Sequence, residues 1–328
     1  MPSRRVLIVS PALAAANNGN WRTASRYARM LRPAFHTRVL ALWRGEPADV
    51  LLALHARRSA QSIADWAQAH GSASLGLVLT GTDLYRDLGQ DPVALRSLEL
   101  AGALVVLQDS APGVLPPAAQ AKAHVIYQSA PRRLPLPRAA AHLRALMVGH
   151  LRDEKDPLTY LAAAQALQRQ PGILLDHIGA ALDPALGLAV RRCAGRCPQY
   201  RWLGELPHGL TRRHIARAHV LVHPSRIEGG AHVIVEAVRS DTPVLASRID
   251  GNVGMLGPDY RGYFAPGDAA GLARLLQQCR ADPAFLAGLQ AQCAAREWLF
   301  EPQRERELLG AVVAGLASAT QDHDPISN

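Results

Sequence analysis

Two acidic residues, Glu228 and Glu236, stand with seven residues between them in HPSRIEGGAHVIVEAV (223–238), a stretch that is otherwise largely apolar. HVLVHPS (219–225) reads as a buried strand that Pro224 helps to end. Gly229 and Gly230 let the backbone turn sharply and approach a ligand closely. AHVIVEAVRS then reads as a helix that is apolar nearly all round, hence buried. It begins without a Ser, Thr, Asp or Asn cap, so backbone N–H groups at the positive end of the helix dipole are left open to an anion. Glu228 falls in the loop before this helix and Glu236 about two turns into it. A carboxylate in such a place needs donors. Arg side chains would supply them, and the chain has many; clustered sugar hydroxyls would supply them equally well.

A second constellation lies in VGHLRDEKDPLTYL (148–161), where Arg152 and Lys155 flank the start of a helix at the end of a strand. Two cations beside helix N–H groups make a clamp for a diphosphate. Asp153, Glu154 and Asp156 in the same loop also fit a solvated charged turn. Lysine is otherwise found only at Lys122, which singles out Lys155 in an Arg-rich chain.

Three stretches in the first half carry polar groups at the ends of apolar runs. In ANNGNWRTASR (16–26), the loop residues Asn18, Gly19 and Asn20 lead into a helix where Arg22 and Thr23 help to hold an anion. LLALHARRSA (51–60) ends a strand at His55, with Arg57 and Arg58 beside it. LVLTGTDLYRDL (77–88) ends a strand before Thr82 and Asp83. Thr82 or Asp83 also fits a plain helix cap, and His55 a structural histidine.

The elements that must position these groups alternate along the whole chain. Apolar runs occur at 5–10, 38–43, 50–56, 75–81, 103–108 and 123–128. They recur at 143–150, 173–179, 201–206, 219–225, 243–248 and 262–266. Helical patterns fill gaps between them, as at 20–32, 59–70 and 156–170. Near-continuous apolar strands alternating with helices imply parallel sheets covered on both faces. The Pro-rich segment SAPRRLPLPRAA (129–140) interrupts the alternation and reads as a linker. The expected class is α/β, with two Rossmann-like doubly wound domains in tandem, at 1–138 and 139–299. A helix at 300–318 is expected to cross back to the first domain, and 319–328 reads as a disordered tail. Ligands of such sheets sit beyond the carboxyl ends of the strands, so the cleft between two of them is the natural site.

The first strand is followed by PALAAANNGNWRT, without G-x-G-x-x-G, and no P-loop signature occurs. A net charge of +9 comes without an aromatic-interleaved basic stripe, so nucleic acid is not an expected partner. The four cysteines lack metal-ligand spacing and fit free thiols in a reducing cytoplasm. No apolar run reaches the length of a membrane span, and the N-terminus reads as a first strand rather than a signal peptide.

The segment Glu228-Gly229-Gly230-Ala231-His232-Val233-Ile234-Val235-Glu236-Ala237 resembles the donor-site signature of retaining GT-B glycosyltransferases. The usual family stretch reads E-G-F-G-x-x-x-x-E-A, so Gly230-Ala231 replaces Phe-Gly here and His232 stands where Leu is common. The resemblance implies a GT-B fold and a nucleotide-sugar donor. Glu228 would meet the sugar hydroxyls, backbone N–H groups over 229–232, with Val233 next to them, the sugar and diphosphate, and Glu236 the ribose. Arg152 and Lys155 would bind the diphosphate and stabilise the leaving group, with no metal or other cofactor expected. RWLGELPHG resembles the segment that lines the nucleobase, with contacts from Gly204 to Leu206, and ASRIDGNVGMLG brings Gly251 to Gly254 near the donor sugar.

Together with TGTDLYRDL, LALHARRSA and the NNGNWRTA loop, these segments resemble the selenosugar synthases, GT-B glycosyltransferases of selenoneine biosynthesis. That resemblance implies UDP-N-acetylglucosamine or UDP-glucose as donor and selenophosphate as acceptor, giving a 1-selenosugar, UDP and phosphate. It places His55 and Asp83 at the reacting face with Arg152, Lys155 and Glu228. Asn18, Gly19, Asn20, Arg22, Thr23 and Thr82 would join His55 and Asp83 around the acceptor. Other readings on the same residues are transfer to another small thiol, lipid or glycan, a sugar-nucleotide epimerase, and a sugar-nucleotide-binding protein without catalysis.

Overall fold

The first sheet is built from the apolar runs of the first half. A computed structural model describes residues 4–13 and 19–319, so Asn18 and positions 320–328 lie outside the described residues. In chain order the elements are β1 (Arg5–Val9), α1 (Gly19–Leu31), β2 (His36–Leu40), β3 (Val50–Leu54), α2 (Ala60–His70), β4 (Leu75–Val78), α3 (Pro92–Leu100), β5 (Ala103–Val106), α4 (Pro117–Gln120) and β6 (Ala123–Val125). The strands form one parallel sheet in the order β2-β1-β3-β4-β5-β6. The chain therefore starts inside the sheet, runs out to β2 and returns past β1 to β3. Such a reversal leaves a crevice at the strand ends between β1 and β3.

Alternate residues of each strand face opposite layers. Leu7, Val9, Leu51 and Ala53 pack with Ile63, Trp66 and Leu98 of α2 and α3. Val6, Ile8, Val50, Leu52 and Leu54 pack with Ala24, Tyr27 and Leu31 of α1.

The second half gives β7 (Leu143–Val148), α5 (Pro157–Ala166), β8 (Ile173–Ile178), α6 (Pro184–Arg196), β9 (Tyr200–Trp202), α7 (His208–Arg217), β10 (Val220–His223), α8 (His232–Val238), β11 (Val244–Ser247), α9 (Asp250–Leu256), β12 (Tyr263–Phe264), α10 (Ala269–Ala281) and α11 (Pro283–Ala294). Its parallel sheet has the order β12-β11-β10-β7-β8-β9. Read from the other edge this is 3-2-1-4-5-6, the order of dinucleotide-binding sheets, with the reversal between β7 and β10. The last helix is α12 (Pro302–Ala319).

The chain divides into two compact units: one reaches to Tyr127 and resumes at Pro302, the other is Gln128–Glu301. In the first unit α12 buries Leu309, Val313, Leu316 and Ala317 in the α1 layer. The Pro-rich segment lies wholly within the second unit. Its backbone is hydrogen-bonded there, Arg133 N–H to the Arg239 carbonyl and Leu136 N–H to the Ala216 carbonyl. Proline removes donors from such an extended strip, and these two bonds fasten it to α7 and the end of α8, while Ala130 N–H reaches the Phe300 carbonyl at 3.3 Å. The four cysteines are free and buried. Among the described residues no helix is long and apolar enough to cross a membrane.

Candidate functional site

β7 and β10 are hydrogen-bonded neighbours, with Val222 opposite Met147, so the loops that follow them emerge side by side. The first loop carries Arg152 and Lys155, the second Glu228. They are stitched together. Arg226 N–H donates to the Glu154 carbonyl at 2.8 Å, and Arg226 Nε reaches Asp156 Oδ2 at 3.2 Å. Asp156 adopts φ +44° and caps α5 through Thr159, with Pro157 at the first helical position. Asp156 is thus tied into the architecture of this loop rather than merely solvated.

Lys155 Nζ donates to Glu228 Oε1 at 2.5 Å. His223, the last residue of β10, brings Nε2 to 3.1 Å from the same oxygen. Glu228 Oε2 makes no hydrogen bond among the described residues. Burial pushes the Glu228 carboxyl upward. The Lys155 ammonium and the contact with His223 outweigh it and hold the group ionised, well below the usual carboxylate range. Arg152 is exposed and makes no ion pair among the described residues. Gly149, at the root of the loop, sits against the β8–α6 turn so closely that a β-carbon on Gly179 would stand 1.8 Å from the Gly149 carbonyl oxygen. Beneath it His177 is buried, its Nε2 3.3 Å from that carbonyl and its Nδ1 3.0 Å from the Tyr200 hydroxyl. Burial lowers the His177 pKa to about 4, so the ring is neutral and donates through Nε2.

Glu236 lies just over one turn into α8, not two, because it stands only four residues after the first helical residue, His232. Ala231 precedes the helix and supplies no side-chain cap, while Gly229 is buried and Gly230 and Val233 are half-buried beside it. Glu236 Oε1 receives His208 Nε2 at 2.5 Å, with His232 Nδ1 at 3.5 Å and Arg212 Nη1 at 3.7 Å. Oε2 makes no hydrogen bond among the described residues. Burial again pushes this carboxyl upward, and the bonds from His208 and His232 with the Arg212 charge hold it well below the usual range. Most of these donors are imidazoles rather than guanidinium groups. Gly204 adopts φ +71° in the β9–α7 loop, and Leu206 is half-buried just before His208. His223, His208 and Arg212 were not singled out from the sequence. The one available signal was a histidine ending an apolar strand beside an acidic loop.

In the first unit the polar strand ends also converge. His55 follows β3 with φ +73°, a conformation uncommon outside glycine. Its Nδ1 accepts from Arg58 N–H at 3.3 Å and its Nε2 donates to Thr82 Oγ1 at 3.1 Å. Burial lowers its pKa, against the pull of Asp83 and Asp87, so the ring is neutral. Asp83 is fully buried and accepts from Thr80 N–H, Gly81 N–H, the Thr80 hydroxyl and Ala56 N–H. It braces the β3 and β4 loops against each other and opens a π-helical turn, Asp83–Asp87. Gly19 starts α1, Asn20 is half-buried and Arg22 exposed, whereas the buried Thr23 bonds back to the Gly19 carbonyl. The Asn18 expectation falls outside the described residues.

Residues 139–296 match the family described as glycosyl transferases group 1. The chain is 35% identical over 113 residues to glycosyltransferase 1 domain-containing protein 1 of Xenopus tropicalis, a match that spans 34% of this chain and 32% of that relative's length. Among solved structures it is similar to sucrose-phosphate synthase from Thermosynechococcus elongatus, with TM-score 0.78 and 18% identity over 96% of this chain and 100% of that one. It is also similar to Anabaena HepE in complex with UDP and glucose, with TM-score 0.72 and 15% identity over 95% and 99% of the two chains. At these identities the structural likeness speaks to the fold, which is GT-B.

Proposed function

We propose that this chain, whose second unit carries the group 1 glycosyltransferase match, moves a sugar from a UDP-sugar, UDP-N-acetylglucosamine or UDP-glucose, to the selenium of selenophosphate. One observation carries the donor half of this reading. Two ionised carboxylates, Glu236 buried and Glu228 nearly so, stand in the loop and helix that follow β10 at the β7/β10 reversal, each with its protein contacts gathered on one oxygen. A second oxygen on each remains to accept from ligand hydroxyls. Glu228 would orient the sugar and Glu236 the ribose. Lys155 has three N–H donors and uses one on Glu228. The others, with the exposed Arg152, would take up charge on the departing diphosphate. Solved relatives of the same fold hold UDP, which supports the choice of nucleotide.

The acceptor half rests on the first unit and on the sequence resemblance. His55 and Thr82 would contact the acceptor at the strand ends, with Asp83 positioning both. Gly19, Asn20 and Arg22 at the start of α1 would meet the acceptor phosphate. Selenium attacks the anomeric carbon as the bond from that carbon to the UDP oxygen breaks. Water then cleaves the selenium–phosphorus bond and releases phosphate. Selenium is a strong nucleophile, so positioning and charge stabilisation supply the catalysis without a strong general base.

The test is mass spectrometry of products from each UDP-sugar with and without selenophosphate. A selenium isotope pattern on a hexose, formed with stoichiometric UDP, is the expected result. UDP release that ignores selenophosphate but follows a thiol or glycan would overturn the acceptor assignment and leave the donor site standing.

A further inference from the structure

Three protein groups crowd one oxygen of Glu236, and they differ in how firmly they are held. Arg212 is buried, and its Nη2 also reaches the Pro131 carbonyl at 3.0 Å. His232 is fastened at its far nitrogen, with Nε2 3.2 Å from the Ser129 carbonyl. His208 is different. Its side chain is 53% exposed, it stands at the first position of α7, and its ring makes no other hydrogen bond among the described residues. Swinging it out breaks its short bond to Glu236 but no other hydrogen bond of its ring.

A vicinal diol presents two O–H donors and fits a carboxylate best when both oxygens are open. Here Oε2 is open and Oε1 is occupied. We propose, on the basis of the donor reading above, that His208 is a displaceable latch on Glu236. In this structure it covers the oxygen that the second ribose hydroxyl needs, and it must swing out for the nucleotide to seat. His208 thereby sets how strongly the site reads the ribose diol.

The probe is UDP-glucose, and binding is measured by calorimetry at a single pH. His208→Ala is expected to bind about tenfold more tightly than wild type, the size of one displaced hydrogen bond. His208→Gln, which keeps a donor, should gain less. His232→Gln should show no such gain. The 2′-deoxyuridine analogue, with one hydroxyl for Oε2, should bind wild type and His208→Ala about equally.

If His208→Ala binds UDP-glucose no more tightly than wild type, or gains as much for the 2′-deoxyuridine analogue, the latch is wrong while the donor site survives. If the gain follows His232→Gln instead, the latch is likewise wrong. If UDP-glucose binds neither wild type nor any variant, the donor reading falls and the latch with it.

Discussion

Gly251 and Glu228 meet backbone to backbone: a β-carbon on Gly251 would stand 2.0 Å from the Glu228 carbonyl oxygen. The start of α9 is therefore the wall that fixes the Glu228 loop. Gly251→Ala must push that loop away, since the obstacle is main chain and cannot rotate aside. We expect a loss of about 1–3 kcal/mol in stability from overpacking. kcat/KM for the donor should fall at least about tenfold, because a displacement of about an ångström at a binding group is that costly. Denaturant melts with steady-state kinetics check both. Unchanged kinetics would show that the loop position does not matter to the site.

Lys155→Ala removes the cation from a buried, ionised carboxylate and from the diphosphate together. Activity should fall by roughly 10²–10³-fold, mainly in kcat, as expected for a group that stabilises a leaving group. Stability should fall by about 1–3 kcal/mol, the cost of a carboxylate that loses a charged partner. Lys155→Arg should restore most of the stability and less of the activity, because a guanidinium offers a planar fork where the site uses a compact point charge. Near-normal turnover in Lys155→Ala would remove the diphosphate clamp from the mechanism.

Acid should unfold the protein in two stages. His177 is neutral when folded, its pKa lowered by burial from 6.5 to about 4. Its contribution is whole above 6.5. It is lost as pH falls toward 4, because only the unfolded chain takes up the proton in that window. The loss amounts to about 3 kcal/mol. Glu228 and Glu236 act below that. Each is held beneath its usual value of 4.5, so their contribution is complete above it and declines as pH drops further. Urea melts across this range should show His177→Gln losing about 3 kcal/mol less than wild type between the two histidine limits. Parallel curves would show that His177 does not carry the first stage.

His55 sits in the left-handed region of backbone space. His55→Asn should fold nearly as well as wild type, since asparagine tolerates that conformation, whereas His55→Val should cost about 1–3 kcal/mol. If His55 serves the acceptor, both variants should lower kcat while the KM for the UDP-sugar stays put. A rise in donor KM alone would remove His55 from the acceptor site.

The alternation of apolar runs fell closely on inner strands such as β3, β4 and β10, because a strand buried on both faces has a composition that few loops share, and only loosely on the edge strand β2, whose alternate residues are exposed. Sheet order was not legible. Nothing in β10 announces that it pairs with β7, and that pairing brings Lys155 to Glu228. The acids were visible as charges in an apolar setting. Their partners were not, because His208 and His223 look like any other histidine until the chain is folded around them. Asp83 shows the reverse case. Its place before a helix suggested both a cap and a reacting group, and four donors from two loops mark it as a brace. The Pro-rich segment looked like a connector by composition, yet fixed φ angles also suit an extended strip laid along a surface.

Because α12 follows all of the second unit in the chain but fills a layer of the first, the earlier-synthesised unit is the later one to be finished. As the chain emerges from the ribosome, Ala24, Tyr27 and Leu52 wait with an uncovered neighbour surface until Leu309 and Val313 arrive. The second unit, contiguous in sequence, can close first and serve as a folded spacer between the two parts of its companion. A truncation that removes only the last helix would therefore strike the amino-terminal half, and leave the nucleotide-facing half able to fold.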